Sequence, residues 1–215
     1  MVVEINGLEL NYEMAGDGEP LLWLHGFMGA GPDWQYIFKE PSAGFRLIAP
    51  DLRGHGASTN PSGEFSFRQA ADDVEGLLSH LGLDTVKAVG LSGGGITLLH
   101  MATALPTRIE SMVIVSAPPY FPAQARALQR QTSESMFGEV EMDLMRKRHR
   151  YGDAQIQQLF AHSGALADRY DDVNFTPPYL ATISTETLIV FGDHDPLYPV
   201  SLAFELKAAI PRSHL

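Results

Sequence analysis

The sequence predicts an α/β fold, in which a mostly parallel sheet carries helices on both faces and a helical insertion interrupts the second half. Two observations support this class. Short apolar runs of strand length alternate with amphipathic stretches of helix length, which is typical of buried parallel strands joined by helices. Glycine-rich or polar motifs follow several of these runs, at the strand ends where ligands bind in open α/β sheets.

The N-terminal half begins with a predicted β-hairpin. Polar and apolar side chains alternate on both sides of Asn6-Gly7, a dipeptide that favours a tight two-residue turn. The next predicted elements are apolar strands at residues 20–24 and 45–49, and a helix that Ser66 and Gln69 begin with capping-box spacing. Together these elements predict the first half of the sheet and one helix that packs against it.

The pentapeptide Gly90-Leu91-Ser92-Gly93-Gly94 lies between a predicted strand at residues 86–89 and a predicted helix at residues 95–105. In that position the pattern G-x-S-x-G is typical of a nucleophile elbow, a turn so tight that small residues must flank the serine. Such a turn presents the serine hydroxyl at the N-terminus of a helix, where negative charge is favoured. The simpler interpretation is a glycine-rich connection that contains a serine by chance.

The second half contains two continuous apolar strands, predicted at residues 112–115 and 187–191. Between them lies a long polar and helical segment, residues 117–184, which we call the insertion. We therefore predict a core made of residues 1–116 and 185–215, interrupted by this insertion. The predicted helices of the insertion cover residues 123–131, 136–150 and 154–161.

Four motifs occur in order along the chain, each at the C-terminal end of a predicted strand. They are His25-Gly26-Phe27, the run from Asp51 to Ser58, the elbow around Ser92, and Gly192-Asp193-His194-Asp195-Pro196. On these motifs the chain resembles the α/β-hydrolase fold family over nearly its whole length, and within it the serine carboxylesterases. The resemblance implies a cap domain formed by the insertion and a serine hydrolase acting on carboxylic esters or related acyl substrates.

The resemblance also implies roles for individual residues. Ser92 is the expected nucleophile and Asp195 the expected acid that orients the base, with Asp193 as the competing choice. The backbone N–H groups of Phe27 and Gly93 are the expected oxyanion hole, and His25 is expected to support that loop through hydrogen bonds. Serine at the elbow argues against epoxide-hydrolase and dehalogenase chemistry, for which this family uses aspartate.

No histidine of the sequence is well placed to act as the general base. In this family the catalytic histidine follows the acid, and His214 is the only histidine after Asp195. At the start of a last strand, His214 would lie roughly 20 Å from Ser92, too far to take its proton. His55 precedes the nucleophile and is a poor candidate. We therefore expect a chain that is truncated before the catalytic histidine, without its last strand and helix, and nearly inactive alone. The alternative is a shortened, non-catalytic protein that binds ligands or signals.

Truncation would leave the strand at residues 187–191 as an exposed apolar edge, so we also expect possible self-association. Within the insertion, the apolar residues that could line a substrate pocket or simply pack are Phe121, Met136, Phe137, Met142, Met145, Phe160 and Phe175. The basic run from Arg146 to Arg150 fits either an anionic substrate or, more commonly, a solvated helix end.

Composition is typical of an ordinary soluble enzyme, and the resemblance implies a small-molecule acyl substrate. The net charge of −11 disfavours nucleic acids and anionic membranes as partners. The absence of cysteine and of a recognisable signal peptide favours a cytoplasmic location. No histidine pair has metal-ligand spacing and no dinucleotide-binding motif is present, so we expect no metal and no cofactor.

Overall fold

The computed structural model describes all 215 residues and contains one eight-stranded sheet. The strands, numbered along the chain, are β1 (Val2–Ile5), β2 (Leu8–Ala15), β3 (Glu19–Leu24), β4 (Phe45–Pro50), β5 (Val86–Leu91), β6 (Ile109–Val115), β7 (Glu186–Val190) and β8 (Ser213–His214). Their order in the sheet is β1-β2-β4-β3-β5-β6-β7-β8. The pairs β1–β2 and β2–β4 are antiparallel, and every other pair is parallel. The predicted mostly parallel α/β architecture is confirmed.

Eight α-helices connect or cover the strands. They are α1 (Gln35–Phe38), α2 (Phe67–His80), α3 (Gly93–Ala104), α4 (Ala123–Gln131), α5 (Glu139–Arg148), α6 (Gly152–Leu166), α7 (Pro177–Leu180) and α8 (Ser201–Ala209), with 3₁₀ turns at Gly31–Trp34 and Glu134–Met136. No helix is both long enough and apolar enough to span a bilayer.

Local sequence signals predicted the N-terminal elements correctly. Asn6 and Gly7 have φ angles of 50° and 77°, the left-handed conformation that a two-residue hairpin turn requires. The Ser66 hydroxyl accepts a hydrogen bond of 3.1 Å from the Gln69 amide and so begins α2 as a capped helix. Both features depend only on neighbouring residues, which is why the sequence alone indicates them.

The main core lies between the sheet and the helices α2, α3 and α8. Helix α3 is buried along nearly its whole length because it packs against β5, β6 and α2 together. It therefore has no polar face, and its mixed apolar composition differs from the one-sided pattern of α2. This burial fixes the start of α3, and hence the position of Ser92.

Helical segments also lie on the opposite face of the sheet, as predicted, but they cover only part of it. Trp23, Trp34 and Phe38 pack over β3 and β4, where α1 and the first 3₁₀ turn lie. Over β7, Leu188 and Val190 remain 43% and 39% exposed. The reason is that the connection between β3 and β4 supplies the helical segments on this face, and they reach only the neighbouring strands.

The predicted absence of the last strand is wrong in one respect. Residues Ser213 and His214 form the short strand β8, which pairs in parallel with Thr187 and Leu188 at the start of β7. The Thr187 amide donates to the Arg212 carbonyl at 2.9 Å. The edge of β7 is therefore covered at its beginning, and its later residues are unpaired on that side.

The insertion contains α4 to α7. Helix α4 has the predicted bounds, whereas the predicted helix at residues 136–150 is divided into a 3₁₀ turn and α5. Gly138 causes the division, because it lies at the N-cap of α5 and its amide donates to the Glu141 carboxylate at 2.6 Å. Helix α6 is longer than the predicted 154–161 at both ends.

Candidate active site

Ser92 lies at a sharp turn between β5 and α3. Its φ and ψ angles are 50° and −112°, an uncommon and strained conformation for a residue with a side chain. Two backbone hydrogen bonds hold the turn: the Ser92 amide donates to the Val115 carbonyl at 2.7 Å, and the Ile96 amide donates to the Ser92 carbonyl at 3.0 Å. The structure thus gives the predicted elbow its expected strand–turn–helix setting.

The flanking glycines are required by close backbone contacts. A Cβ atom on Gly94 would lie 2.2 Å from the Leu24 carbonyl oxygen, and one on Gly90 would lie 2.6 Å from the Gly94 carbonyl carbon. No side chain fits at either position without moving the backbone. Glycine therefore lets β3, β5 and α3 approach closely enough to place Ser92 beside the loop that follows β3.

That loop, residues 25–28, is called here the oxyanion loop, after its predicted role. A Cβ atom on Gly93 would lie 3.1 Å from the Phe27 amide nitrogen, so the two predicted donors are adjacent. The Phe27 amide donates to no other group of the protein. Because the first amides of a helix have no intrahelical acceptor, the Gly93 amide at the start of α3 is also suited to an external oxyanion.

His25 and Asp51 fix the oxyanion loop from behind. The Leu52 amide donates to His25 Nε2 at 3.0 Å, so the ring carries its proton on Nδ1, which donates to the Gly26 carbonyl at 2.7 Å. Burial lowers the pKa of His25, which keeps this ring neutral. The Asp51 carboxylate accepts from the Gly31 and Ala57 amides, each at 2.7 Å.

The loop of residues 192–198, called here the acid loop, distinguishes the two candidate acids. Asp193 is highly exposed and contacts only the side chain of its neighbour His194, at 2.8 Å. The half-buried Asp195 accepts on Oδ1 from the amides of Leu197 and Tyr198, at 2.8 and 3.0 Å. The Asx-type hydrogen bonds of this turn are therefore made by Asp195 and not by its competitor Asp193.

The Oδ2 atom of Asp195 accepts no hydrogen bond within the chain. One oxygen therefore holds the loop while the other is available. An acid that orients a histidine needs such an arrangement, because its carboxylate must itself be fixed before it can fix the ring.

A cavity of about 350 Å³ opens beside Ser92 and Gly93. Side chains of the core, the acid loop and the insertion line it, and most of them are apolar: Phe27, Met28, Ile96, Phe121, Leu128 and Leu197 are among them. No charged side chain and no histidine lines this cavity. Its size is at the lower end for small-molecule sites, and its walls suit an apolar ligand.

Tyr198 is a site residue that the sequence analysis missed. It is buried, lines the cavity and stacks on Phe121 with ring centroids 6.3 Å apart. Burial raises the pKa of the Tyr198 hydroxyl, and a contact with Ser92 acts in the opposite direction. The hydroxyl is therefore a neutral group next to the predicted nucleophile. The only sequence feature that could have indicated Tyr198 as a site residue is its position, three residues after Asp195.

His214 lies at the opposite end of the sheet from Ser92. It pairs with Leu188, and its ring is 3.8 Å from Glu186 at the first position of β7. Ser92 instead bonds to the end of β6.

His55 is fully buried behind the oxyanion loop, where its ring packs 5.0 Å from that of Phe27. Its Nδ1 donates to the Arg53 carbonyl, while its Nε2 has no partner.

His149 joins the insertion to two loops of the core. The Gly56 amide donates to its Nδ1 at 3.0 Å, and its Nε2 donates to the Met28 carbonyl at 3.1 Å. The ring is completely buried, and burial lowers the pKa of His149 to about 4. Arg150 adds a backbone bond to the Gly56 carbonyl, at 2.9 Å. The insertion is thus attached next to the predicted oxyanion donor.

The basic run that contains His149 does not reach the cavity. Arg146 pairs with Asp153 at 2.8 Å, and Arg148 pairs with Asp33 at 2.9 Å.

Of the apolar insertion residues predicted to line a pocket or to pack, three border the cavity: Phe121, Met136 and Phe137. The others pack elsewhere, Met142, Met145 and Phe160 in a separate buried cluster and Phe175 in the main core. No three carboxylate or imidazole groups are arranged to hold a metal ion.

Comparisons with known proteins give the family of the chain. Residues 19–140, more than half of the chain, match the family model described as "alpha/beta hydrolase fold". The mouse protein called serine hydrolase BPHL is 31% identical over 208 residues, which cover 92% of this chain and 70% of that protein. A soluble epoxide hydrolase of Corynebacterium sp. (strain C12) is 37% identical over 115 residues, 54% of this chain and 40% of that protein.

Solved structures give the same picture. The thermophilic esterase from Thermogutta terrifontis superposes with a TM-score of 0.77 and is 26% identical, covering 100% of this chain and 88% of that one. The enol-lactonase from Burkholderia xenovorans LB400 superposes with a TM-score of 0.79 over 100% of this chain and 89% of that one. At 22% identity, the second likeness concerns the fold alone. The named relatives support a hydrolase and differ in the bond they cleave.

Proposed function

Because the chain belongs to the alpha/beta hydrolase fold family, we propose that it provides the nucleophile and oxyanion hole of a serine hydrolase for carboxylic esters or related acyl substrates. The observation that carries this proposal is the strained Ser92 turn, which borders an apolar cavity beside the unpaired Phe27 amide. Serine at this turn separates the proposal from the chemistry of the epoxide hydrolase relative, for which an aspartate nucleophile is expected.

In the proposed mechanism, the Ser92 hydroxyl attacks the substrate carbonyl carbon while a general base removes its proton. The carbonyl oxygen becomes an oxyanion that accepts from the Phe27 and Gly93 amides. Collapse expels the alcohol, which takes the proton from the base, and leaves an acyl group on Ser92. Water, activated by the same base, then releases the acid and restores the serine.

The proposed base is a histidine that is not among residues 1–215. Support for this comes from the placement of the chain's own histidines, none of which lines the cavity. The free Oδ2 of Asp195 would accept a hydrogen bond from the Nδ1–H group of that ring and orient it, so that its Nε2 faces Ser92. The insertion forms one wall of the cavity and would act as the cap in this proposal.

A second candidate is a ligand-binding protein that uses the cavity without turnover. The specific observation in its favour is that the buried Tyr198 and Ser92 line the same cavity, whereas no histidine lines it. In such a protein the cavity would bind an apolar ligand and Ser92 would serve as a hydrogen-bonding group.

Active-site labelling with a fluorophosphonate probe tests these alternatives. The probe is applied to residues 1–215 and to the product of the coding sequence read past Leu215. We expect labelling of the longer protein, loss of labelling in its Ser92→Ala variant, and retention in Ser116→Ala. Ser116 is a matched control because it also has a positive φ, of 48°, at a strand end.

Residues 1–215 alone should label far more slowly, since removal of a triad base costs on the order of 10⁶ in turnover in a serine protease. If the longer protein fails to label, the ligand-binding candidate replaces the hydrolase. A panel of esters, lactones and amides then identifies the bond that the labelled enzyme cleaves.

A further inference from the structure

The end of α5 attaches the insertion to the loop that carries Phe27. Residues 148–150, called here the clamp, are the last residue of α5 and the first two residues of its connection to α6. Each of the three contacts the core: Arg148 through its side chain, His149 through both ring nitrogens and Arg150 through its amide. All of these contacts are to segments outside the sheet, so the clamp is placed to control the geometry of loops.

Met28 is the residue of the oxyanion loop that the clamp holds. It is the third residue of a β-turn, since the Gly29 amide donates to the Gly26 carbonyl at 2.9 Å. Its φ of 66° is the conformation that a type II turn requires at this position and that glycine usually provides. A methionine persists in this conformation only where the surrounding structure maintains it.

The insertion makes two contacts with Met28. His149 Nε2 donates to the Met28 carbonyl at 3.1 Å, and the Met28 side chain packs against the buried cluster that contains Met142 and Phe160. The His149 ring is itself fixed, because it is completely buried and its Nδ1 accepts from the Gly56 amide at 3.0 Å. The ring therefore presents a donor to the oxyanion loop in one orientation.

The clamp also holds the chain just after the oxyanion loop. Arg148 Nε donates to Asp33 Oδ1 at 2.9 Å, while Asp33 Oδ2 accepts from the Ala30 amide at 3.1 Å. At the start of the loop, His25 Nε2 accepts from the Leu52 amide at 3.0 Å. Core residues thus fix the beginning of the oxyanion loop, and the insertion fixes its end.

We propose that His149 is a positioning residue for the oxyanion hole, an inference that rests on the proposed hydrolase function. Its bond to the Met28 carbonyl keeps the Phe27 amide directed at the substrate oxygen beside Ser92. An oxyanion donor is effective only when it is preorganised at the position of the developing charge. His149 does not line the cavity, so it acts through the loop and not on the substrate.

Two conservative variants separate the two ring contacts. A glutamine amide nitrogen can replace Nε2, so His149→Gln keeps the donor to Met28 and loses the acceptor for Gly56. An asparagine amide oxygen can replace Nδ1, so His149→Asn keeps the acceptor and loses the donor. The experiment uses the product of the coding sequence read past Leu215 and measures the limiting rate of fluorophosphonate labelling.

The limiting rate should be about 10 to 100 times lower in His149→Asn and His149→Leu, and within about threefold of the wild type in His149→Gln. The probe concentration that gives half of the limiting rate should stay the same, because the cavity walls are intact in all three variants. Lys147→Gln, at the exposed position directly before the clamp, is the matched control and should label like the wild type.

Amide hydrogen exchange in residues 1–215 tests the same contact without chemistry. The Gly29 amide, which closes the turn, should exchange about tenfold or more faster in His149→Asn than in His149→Gln, because the turn opens locally once the donor is lost. The Ile96 amide, which bonds to the Ser92 carbonyl, should exchange alike in both variants. This comparison separates a local effect on the loop from a general loss of stability.

Equal limiting rates in His149→Asn and His149→Gln would overturn the proposal, as would equal exchange of the Gly29 amide, because the bond to Met28 would then not position the loop. Failure of the hydrolase function is a separate outcome, in which the longer wild-type protein does not label at Ser92. In that case faster exchange at Gly29 in His149→Asn still supports the clamp as the holder of the loop, and unchanged exchange refutes it.

Discussion

Acidification should lower the unfolding free energy of the protein through His149, and comparison with the variant His149→Leu should measure the size of this loss. In the folded protein the ring accepts from Gly56 on Nδ1, so protonation there removes an acceptor and places a charge in a fully buried position. Burial lowers the pKa of His149 from about 6.5 to about 4, whereas in the unfolded chain the ring titrates near its ordinary value. Protons therefore bind the unfolded state more strongly.

The sign and size of the effect follow from linkage. The contribution of neutral His149 is fully present above about pH 6.5 and is lost as the pH falls from there towards about 4. Between pH 7 and pH 5, the wild-type protein should lose about 2 kcal/mol of unfolding free energy through this one residue. Other buried histidines, among them His25 and His55, have pKa values lowered by burial and add to the total acid sensitivity.

Comparing the variant with the wild type isolates His149, since the other histidines are common to both. At pH 7 His149→Leu should cost roughly 2 to 5 kcal/mol, because it leaves the Gly56 amide and the Met28 carbonyl without a partner. At pH 5 the difference should shrink by about 2 kcal/mol. Urea unfolding at both pH values measures it, with the exposed His80→Gln as the control. Parallel pH profiles for His149→Leu and the wild type would refute the reasoning.

Three further predictions concern stability and association. Gly94→Ala should cost about 2 kcal/mol or more in thermal unfolding because its Cβ would lie 2.2 Å from the Leu24 carbonyl, while Gly192→Ala, with open space around it, should stay within about 0.5 kcal/mol. Arg53→Met should cost about 3 to 5 kcal/mol by leaving Asp73 buried without its ion pair, and adding Asp73→Leu should restore much of that loss in urea titrations. Residues 1–215 should self-associate through the exposed face of β7, so Leu188→Thr with Val190→Thr should lower the mass seen by light scattering; an unchanged mass would contradict this.

The sequence predicted those parts of the fold that depend on neighbouring residues. The hairpin turn at Asn6-Gly7 and the Ser66 cap require particular residue types within a few positions. The elbow around Ser92 is similar, because a Cβ atom on Gly90 would lie 2.6 Å from the Gly94 carbonyl carbon, within the same pentapeptide. In each case one local geometry accepts few residues, so the residues indicate the geometry.

The parts that could not be predicted depend on distant contacts. His149 bonds to Gly56 and Met28, which lie 93 and 121 positions away in the chain. In the sequence it is one member of a basic run, and nothing nearby marks it as buried. Gln129 likewise looks like a polar position on an amphipathic helix until α6 and the cavity are placed beside it. Composition reports the charge of such residues, whereas their surroundings decide their roles.

The insertion contacts the site at two separate places, and this has a consequence for catalysis. Side chains of the insertion, among them Phe121 and Leu128, line the cavity, while His149 bonds to the Met28 carbonyl, directly after the proposed oxyanion donor Phe27. Met28 has a φ of 66°, a strained conformation that surrounding contacts must maintain. Loss of the His149 bond would let this residue relax and shift the Phe27 amide. Changes in the insertion side chains that line the cavity should therefore alter which ligand binds, whereas changes at His149 should lower the rate for all substrates alike.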